Sequence, residues 1–226
     1  SKAKRRRRMK VLRVSVLAAV IAVLVVGGIL AVKSEFLKER NSDVSKINLS
    51  SIKVPRPKIN VRLLTENINS RPGIALRRVR GIVIHYTAND GDTAISNAKY
   101  FANGSRGASA HYFVDSKNIV QSVKDDYVAW AVGGNKYDDT TKTGGGKFYG
   151  KCNNNNSLSI EICDDIKNNA IYPTDSTINN IIELVRTLMK KYNISINNVI
   201  RHFDVTGKKC PMYWCGDSQK NGKWQK

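Results

Sequence analysis

Gly81-Ile82-Val83-Ile84-His85-Tyr86-Thr87 is the stretch on which the fold turns. The apolar run Gly81 to Ile84, closed by a histidine, reads as a buried strand that delivers its last side chain to the rim of a sheet. That side chain is one of only 3 histidines in the chain. A second stretch, Arg201-His202-Phe203-Asp204-Val205-Thr206-Gly207-Lys208-Lys209-Cys210-Pro211, sets a histidine and a cysteine 8 positions apart around a glycine-bearing loop. Imidazole nitrogen and thiolate are both good donors to Zn²⁺, and a catalytic zinc commonly takes three protein ligands and leaves a fourth position for water. With His202 and Cys210 as two ligands, His85 is the natural third. Taken singly, His202 also reads as the cap of a strand and Cys210 as a small buried residue.

The segments around this strand supply the rest of a domain. Ala94, Ile95, Ala98, Phe101 and Ala102 recur at helical spacing within Thr93 to Ala102, with Gly104 just beyond. Ala110 to Val114 and Ile119 to Val123 flank Asp115-Ser116-Lys117-Asn118, a hairpin signal expected to extend the sheet beside His85. Gly133 to Asn156, with Gly144-Gly145-Gly146 and consecutive asparagines, reads as a long irregular loop of the kind that borders substrate sites. Leu158, Ile160 and Ile162 alternate with Ser157, Ser159, Glu161 and Cys163, so Glu161 faces away from the aliphatic side. Ile178, Ile181, Ile182, Val185, Leu188, Met189 and Tyr192 form a helical stripe preceded by the capping candidates Asp175 and Ser176. Strands that carry the ligands and helices that cover a mixed sheet give an α/β domain with its site at one edge of the sheet.

The N-terminal part differs in kind. Val14 to Val32 is 19 residues long, uncharged, and polar only at Ser15. At about 1.5 Å per residue it nearly spans a bilayer core. The basic residues before it place 1–13 in the cytoplasm, 14–32 as a single transmembrane helix, 33–59 as a stalk and 60–226 as an extracellular domain. A cleaved signal peptide is the alternative, but its apolar core is usually shorter and Ala31-Val32-Lys33 is a poor cleavage site.

The formal charge is +20, with 8 of the 38 basic residues inside the first 13 positions. The remaining 30 against 18 acidic residues leave a net +12. No helix-turn-helix, zinc-finger spacing or aromatic RNA-binding signature accompanies that charge, so nucleic acid is not expected as a partner, and attraction to anionic wall polymers suits it equally well. The cysteines are Cys152, Cys163, Cys210 and Cys215. A Cys152–Cys163 pair would leave Cys210 for a metal, but free buried thiols are the default expectation.

In four blocks the sequence resembles the zinc-dependent N-acetylmuramoyl-L-alanine amidases of the type 2 family, relatives of the peptidoglycan recognition proteins. The blocks are Ile82 to Thr87, Ala108 to Asp115, Asn156 to Cys163 and the His202 to Cys210 loop. Their shared order makes the signal far more specific than one short motif. The resemblance implies an α/β fold with a mixed central sheet flanked by helices. It also implies zinc on His85, His202 and Cys210, with Glu161 carrying protons and Lys208 stabilising an oxyanion.

Some relatives carry a catalytic tyrosine where Ala110 precedes His111, which favours the glutamate branch here. Ser159 stands where glycine is common, and Ala131 after Trp130 where some relatives have histidine. His111 and Trp130 are the candidate substrate-binding residues, although His111 also fits support of a ligand or a satisfied core position. The expected activity is cleavage of the bond between N-acetylmuramoyl and L-alanine in peptidoglycan, by a membrane-anchored monomer. The rival is a tethered receptor that binds peptidoglycan without cutting. Loss of the cysteine marks such relatives, and Cys210 is present.

Overall fold

The computed structural model describes residues 57–104, 106–216 and Trp224, all within the unit Leu49–Lys226. The expected tail, membrane span and nearly all of the stalk lie outside the described residues. Among these, no helix is long and apolar enough to cross a membrane.

Six strands form one mixed sheet: β1 (Ile59–Val61), β2 (Gly81–Asp90), β3 (Tyr112–Val114), β4 (Ile119–Gln121), β5 (Ser157–Asp164) and β6 (Val199–Arg201), in the order β1-β4-β3-β5-β2-β6. Only the β3–β4 hairpin is antiparallel. The hairpin therefore extends the sheet, but β5 separates it from β2. Asp115 shapes its turn: Oδ1 accepts from the backbone of Lys117 at 2.8 Å and Asn118 at 2.6 Å. Its other oxygen accepts from Ala94 N at 2.7 Å, which ties the turn to the start of helix α1 (Ala94–Ala102).

Period-two alternation sorts the long strands into two faces. Ile82, Ile84, Leu158, Ile160 and Ile162 pack with Tyr112, Val114 and Ile119 against α3 (Asp175–Tyr192). The buried stripe of α3 is Ile181, Leu184, Val185, Leu188 and Met189, five positions at 3- and 4-residue steps. Two expectations shift. Ile182 is 40% exposed and Leu184 takes its place in the core. The N-cap is Thr174, whose side chain accepts from Thr177 N at 3.1 Å, while Asp175 lies in the first turn, where its charge suits the helix dipole.

On the opposite face, Ala94 and Ala98 of α1 cover Phe113, Val120 and Cys163. Val205, Val132 and Cys152 cover Val83 and Ile200. β2 and β5 present His85 and Glu161 on this same face.

Candidate metal centre and cleft

His85 and Glu161 are direct partners in the parallel β2–β5 register, so their side chains leave the sheet side by side. β5 and β2 are interior strands, so the site sits over the face of the sheet and not at an edge strand. Of the expected ligands only His85 lies on a strand. His202 is the first residue of the one-turn helix α4 (His202–Thr206), immediately after edge strand β6. Asp204 fixes that turn by accepting from Arg201 N at 2.8 Å, Nε at 2.9 Å and Nη2 at 2.6 Å. Gly207 ends the helix at φ +89, and a Cβ there would stand 2.5 Å from Thr140 Cγ2 in α2 (Thr140–Thr143). Glycine alone satisfies both the backbone and the space. The chain then returns so that Cys210 O accepts from Phe203 N at 3.0 Å.

These paths bring His85, His202 and Cys210 together, with ligand atoms all within 4.8 Å of one another. Cys210 Sγ is 3.9 Å from His85 Nδ1. The two imidazole rings meet edge to face at 4.8 Å. All three residues are buried. His202 Nε2 lies 3.3 Å from the Gly133 carbonyl. With the proton on Nε2 to donate there, Nδ1 carries the lone pair, and Nδ1 has no partner among the described residues. His85 Nε2 is likewise buried and unpartnered.

Burial, aided by the charge of Lys208, pushes the His202 pKa down to about 4. Burial first, then the charges of His202, Lys208 and His111, holds His85 well below its ordinary value. Both rings are therefore neutral donors at neutral pH. Burial, with the Glu161 charge adding, pushes the Cys210 thiol far up. A cation among these donors reverses that last effect, because a ligated sulfur is a thiolate. Two neutral imidazoles and a thiolate in a buried, converging group fit a zinc ion.

Glu161 is half-buried, and its Oε2 is sealed from water with no hydrogen-bond partner. Burial, with Asp92 adding and Lys208 partly opposing, lifts its pKa to about 7. A carboxyl poised there can both take and give a proton near neutrality. Lys208 is exposed and lines an open cleft of about 670 Å³ with Trp130, Tyr137, Asn154, His202 and Thr206. Asn154 Oδ1 accepts from the backbone of Ala131 at 3.0 Å and Val132 at 2.7 Å, and so braces the wall that carries Trp130.

His111 departs from its expected contact with substrate. It is fully buried, its Nδ1 accepts from Ser159 N at 3.0 Å, and its Nε2 lies 3.0 Å from Tyr127 O. With both nitrogens engaged by backbone, it is a satisfied core histidine. The four cysteines are free and buried. Cys152 and Cys163 belong to separate apolar clusters, so the pairing considered from sequence does not form. Sequence reading also missed Tyr137 and Asn154, which reach the cleft from irregular segments with no periodic signal, and Thr206, the last residue of α4.

The profile of the N-acetylmuramoyl-L-alanine amidase family matches residues 75–213. N-acetylmuramoyl-L-alanine amidase CwlL of Bacillus licheniformis is 38% identical over 161 residues, which is 68% of this chain and 42% of that protein. XlyA of Bacillus subtilis strain 168, another N-acetylmuramoyl-L-alanine amidase, is 32% identical over 145 residues, covering 63% of this chain and 42% of XlyA. The chain thus spans about two fifths of the length of these curated relatives. Among solved structures, the catalytic domain of XlyA superposes with a TM-score of 0.57 at 28% identity, covering 74% of this chain and 95% of that one. A mutant endolysin from Bacillus subtilis gives a TM-score of 0.57 at 28% identity, over 75% and 95%. With the family profile matched over more than half of its length, on a fold shared with those domains, the chain belongs to the N-acetylmuramoyl-L-alanine amidase family.

Proposed function

We propose that this chain hydrolyses the amide bond between N-acetylmuramoyl and L-alanine in peptidoglycan, using one zinc ion held by His85, His202 and Cys210. The observation that carries the reading is the meeting of those three donors within 4.8 Å, with Glu161 in register beside His85. Bound there, zinc would polarise the scissile carbonyl and acidify the attacking water. Glu161 accepts the proton of that water and returns it to the leaving amine, a cycle that its pKa near 7 suits. The Lys208 ammonium, on the cleft wall, faces the oxygen on which negative charge develops. Trp130 offers an indole face to the glycan or stem peptide, its Nε1 anchored on Ile68 O at 3.2 Å. His111 keeps Ser159, two residues before Glu161, in its place on β5.

The reading extends to location. Val14 to Val32, with its basic flank, would hold a monomeric domain outside the membrane, where tethering raises its effective concentration at the wall. Recovery of the uncleaved chain in the soluble fraction of cells would contradict the anchor.

Digestion of peptidoglycan by the full-length chain tests the chemistry. The expected products are glycan strands with intact lactyl ethers and free peptides that begin with alanine. New reducing sugars would indicate a glycosidase instead. Binding without new alanine amino termini would make the protein a receptor.

A further inference from the structure

A second cavity, of about 180 Å³, opens where β2 begins and shares no lining residue with the cleft. His85 lies four residues beyond Gly81 on β2, roughly 13 Å away at the rise of a strand. Arg80, Lys151, Asn156 and Asn198 line the cavity together with Gly81 and Phe148, and no acidic residue is among the described residues of its lining.

Three separate segments are tied together to form it. Arg80 N donates to Asn156 O at 2.8 Å, and Asn156 Nδ2 donates to Lys151 O at 2.9 Å, which fixes the backbones that carry the two cations. Asn198 closes the 3-10 turn Ile196–Asn198 ahead of β6, and a Cβ on Gly81 would stand 3.1 Å from its carbonyl oxygen, so glycine permits that approach. The side chains themselves are uncommitted. Arg80 and Lys151 are exposed, and neither they nor the Asn198 amide make a hydrogen bond or ion pair with a described residue. Arg77, Arg78 and Lys147, exposed and equally unpaired, flank them in the same two segments. Lys191 and Arg201, by contrast, meet the carboxylates of Asp125 and Asp204.

Cations gathered without a counter-charge raise the local potential and attract polyanions. An arginine fork, an ammonium and an amide supplied by three segments match a tetrahedral phosphate, with acceptor oxygens on every side, better than a planar carboxylate. The flanking cations suit further phosphates along the same polymer. Phe148 packs against the Val83 cluster, so the lining offers no free ring on which a base of single-stranded nucleic acid could stack.

We propose that this cavity binds a phosphodiester group of an anionic wall polymer, as a docking site separate from the cleft. The inference goes beyond the amidase reading and needs no metal.

Poly(glycerol phosphate) is the probe, titrated into the full-length chain at a series of salt concentrations. Arg80→Ala combined with Lys151→Ala should weaken binding about 10-fold or more and flatten the log–log salt dependence by about 1 to 2, as two lost phosphate contacts require. Asn198→Asp, which puts a negative charge in the cavity, should weaken binding as well. Melting temperatures should not move, since the altered side chains have no partners among the described residues. Lys99→Ala combined with Lys117→Ala removes the same charge from exposed positions on α1 and the hairpin turn, and should bind as wild type does. Equal loss in the two double variants overturns the proposal in favour of diffuse charge, to which the 8 basic residues of the first 13 contribute. Unchanged affinity in the cavity double variant, or in Asn198→Asp, overturns it outright. Tighter binding of oligodeoxythymidylate than of the polymer at equal phosphate concentration, lost in the cavity variants, reassigns the cavity to nucleic acid and overturns the wall polymer as partner. Zinc content and cleavage of a short soluble peptidoglycan fragment should match wild type in every variant, so failure of the docking site leaves the amidase reading standing. A loss of either in the cavity variants would tie the cavity to the cleft and overturn its separate role.

Discussion

Asp125 and Glu161 are carboxylates withdrawn from water in the same domain, and their surroundings could hardly differ more. Asp125 Oδ1 accepts from the Tyr112 hydroxyl at 2.5 Å and Gln121 Nε2 at 3.0 Å. Its Oδ2 accepts from Lys191 Nζ at 2.8 Å and the Tyr192 hydroxyl at 2.8 Å. Burial alone would raise the Asp125 pKa, but the bonds from Lys191, Tyr112 and Tyr192 outweigh it and hold the group below its ordinary value. Glu161 Oε2 accepts nothing, and its pKa climbs to about 7. The first cluster fastens the C-terminal end of α3 to the hairpin. The second keeps its protons and lone pairs uncommitted. Of these two carboxylates, the fully partnered one is a fastening and the unpartnered one stands beside the candidate metal ligands.

The contrast breaks most visibly at Glu161. Glu161→Gln retains shape but cannot carry a proton, so the release of alanine amino termini should slow by roughly 10²- to 10⁴-fold. Zinc content and melting temperature should change little, since Oε2 makes no bond to lose. A variant that cleaves at the wild-type rate would move proton transfer to another group.

The converse change, Asp125→Asn, should cost roughly 1–3 kcal/mol of stability, read by denaturant unfolding. Lys191 contributes the smaller part, because its side chain is 56% exposed and screened by solvent. Turnover by the folded protein should stay close to wild type. Loss of activity without loss of stability would erase the distinction between the two clusters.

The acid response gives a finer test. A carboxylate whose folded pKa lies below the unfolded value of about 3.9 adds stability that is complete above that value and is lost as pH falls through the folded one. Wild type should therefore lose stability below about pH 4 more steeply than Asp125→Asn. Parallel acid unfolding curves would show that Asp125 is not held low.

How far this was legible from sequence depends on the element. His85 ends an apolar run, and His202 and Cys210 are donor types at close spacing, so one-dimensional pattern suffices for them. Alternation places Glu161 on the non-aliphatic face, but its seat beside His85 is a matter of β2–β5 register, which no local pattern states. His111 has the same residue type as the ligands, and only its two backbone partners reveal it as core. β1 and β6 have 3 residues each, too few for a period to register, and this hid His202's position at the start of a helix behind an edge strand. Leu184 and Ile182 exchange roles because the stripe's phase depends on where the sheet lies beneath α3.

The central claim is that the imidazoles of His85 and His202 and the buried sulfur of Cys210 meet to hold a metal. Metal analysis of the purified full-length chain beside its Cys210→Ala variant tests it most directly. About one zinc per wild-type chain is predicted, with occupancy falling on acidification as the donors take up protons, and with little zinc retained by the variant. Equal zinc content in the two proteins would contradict the account.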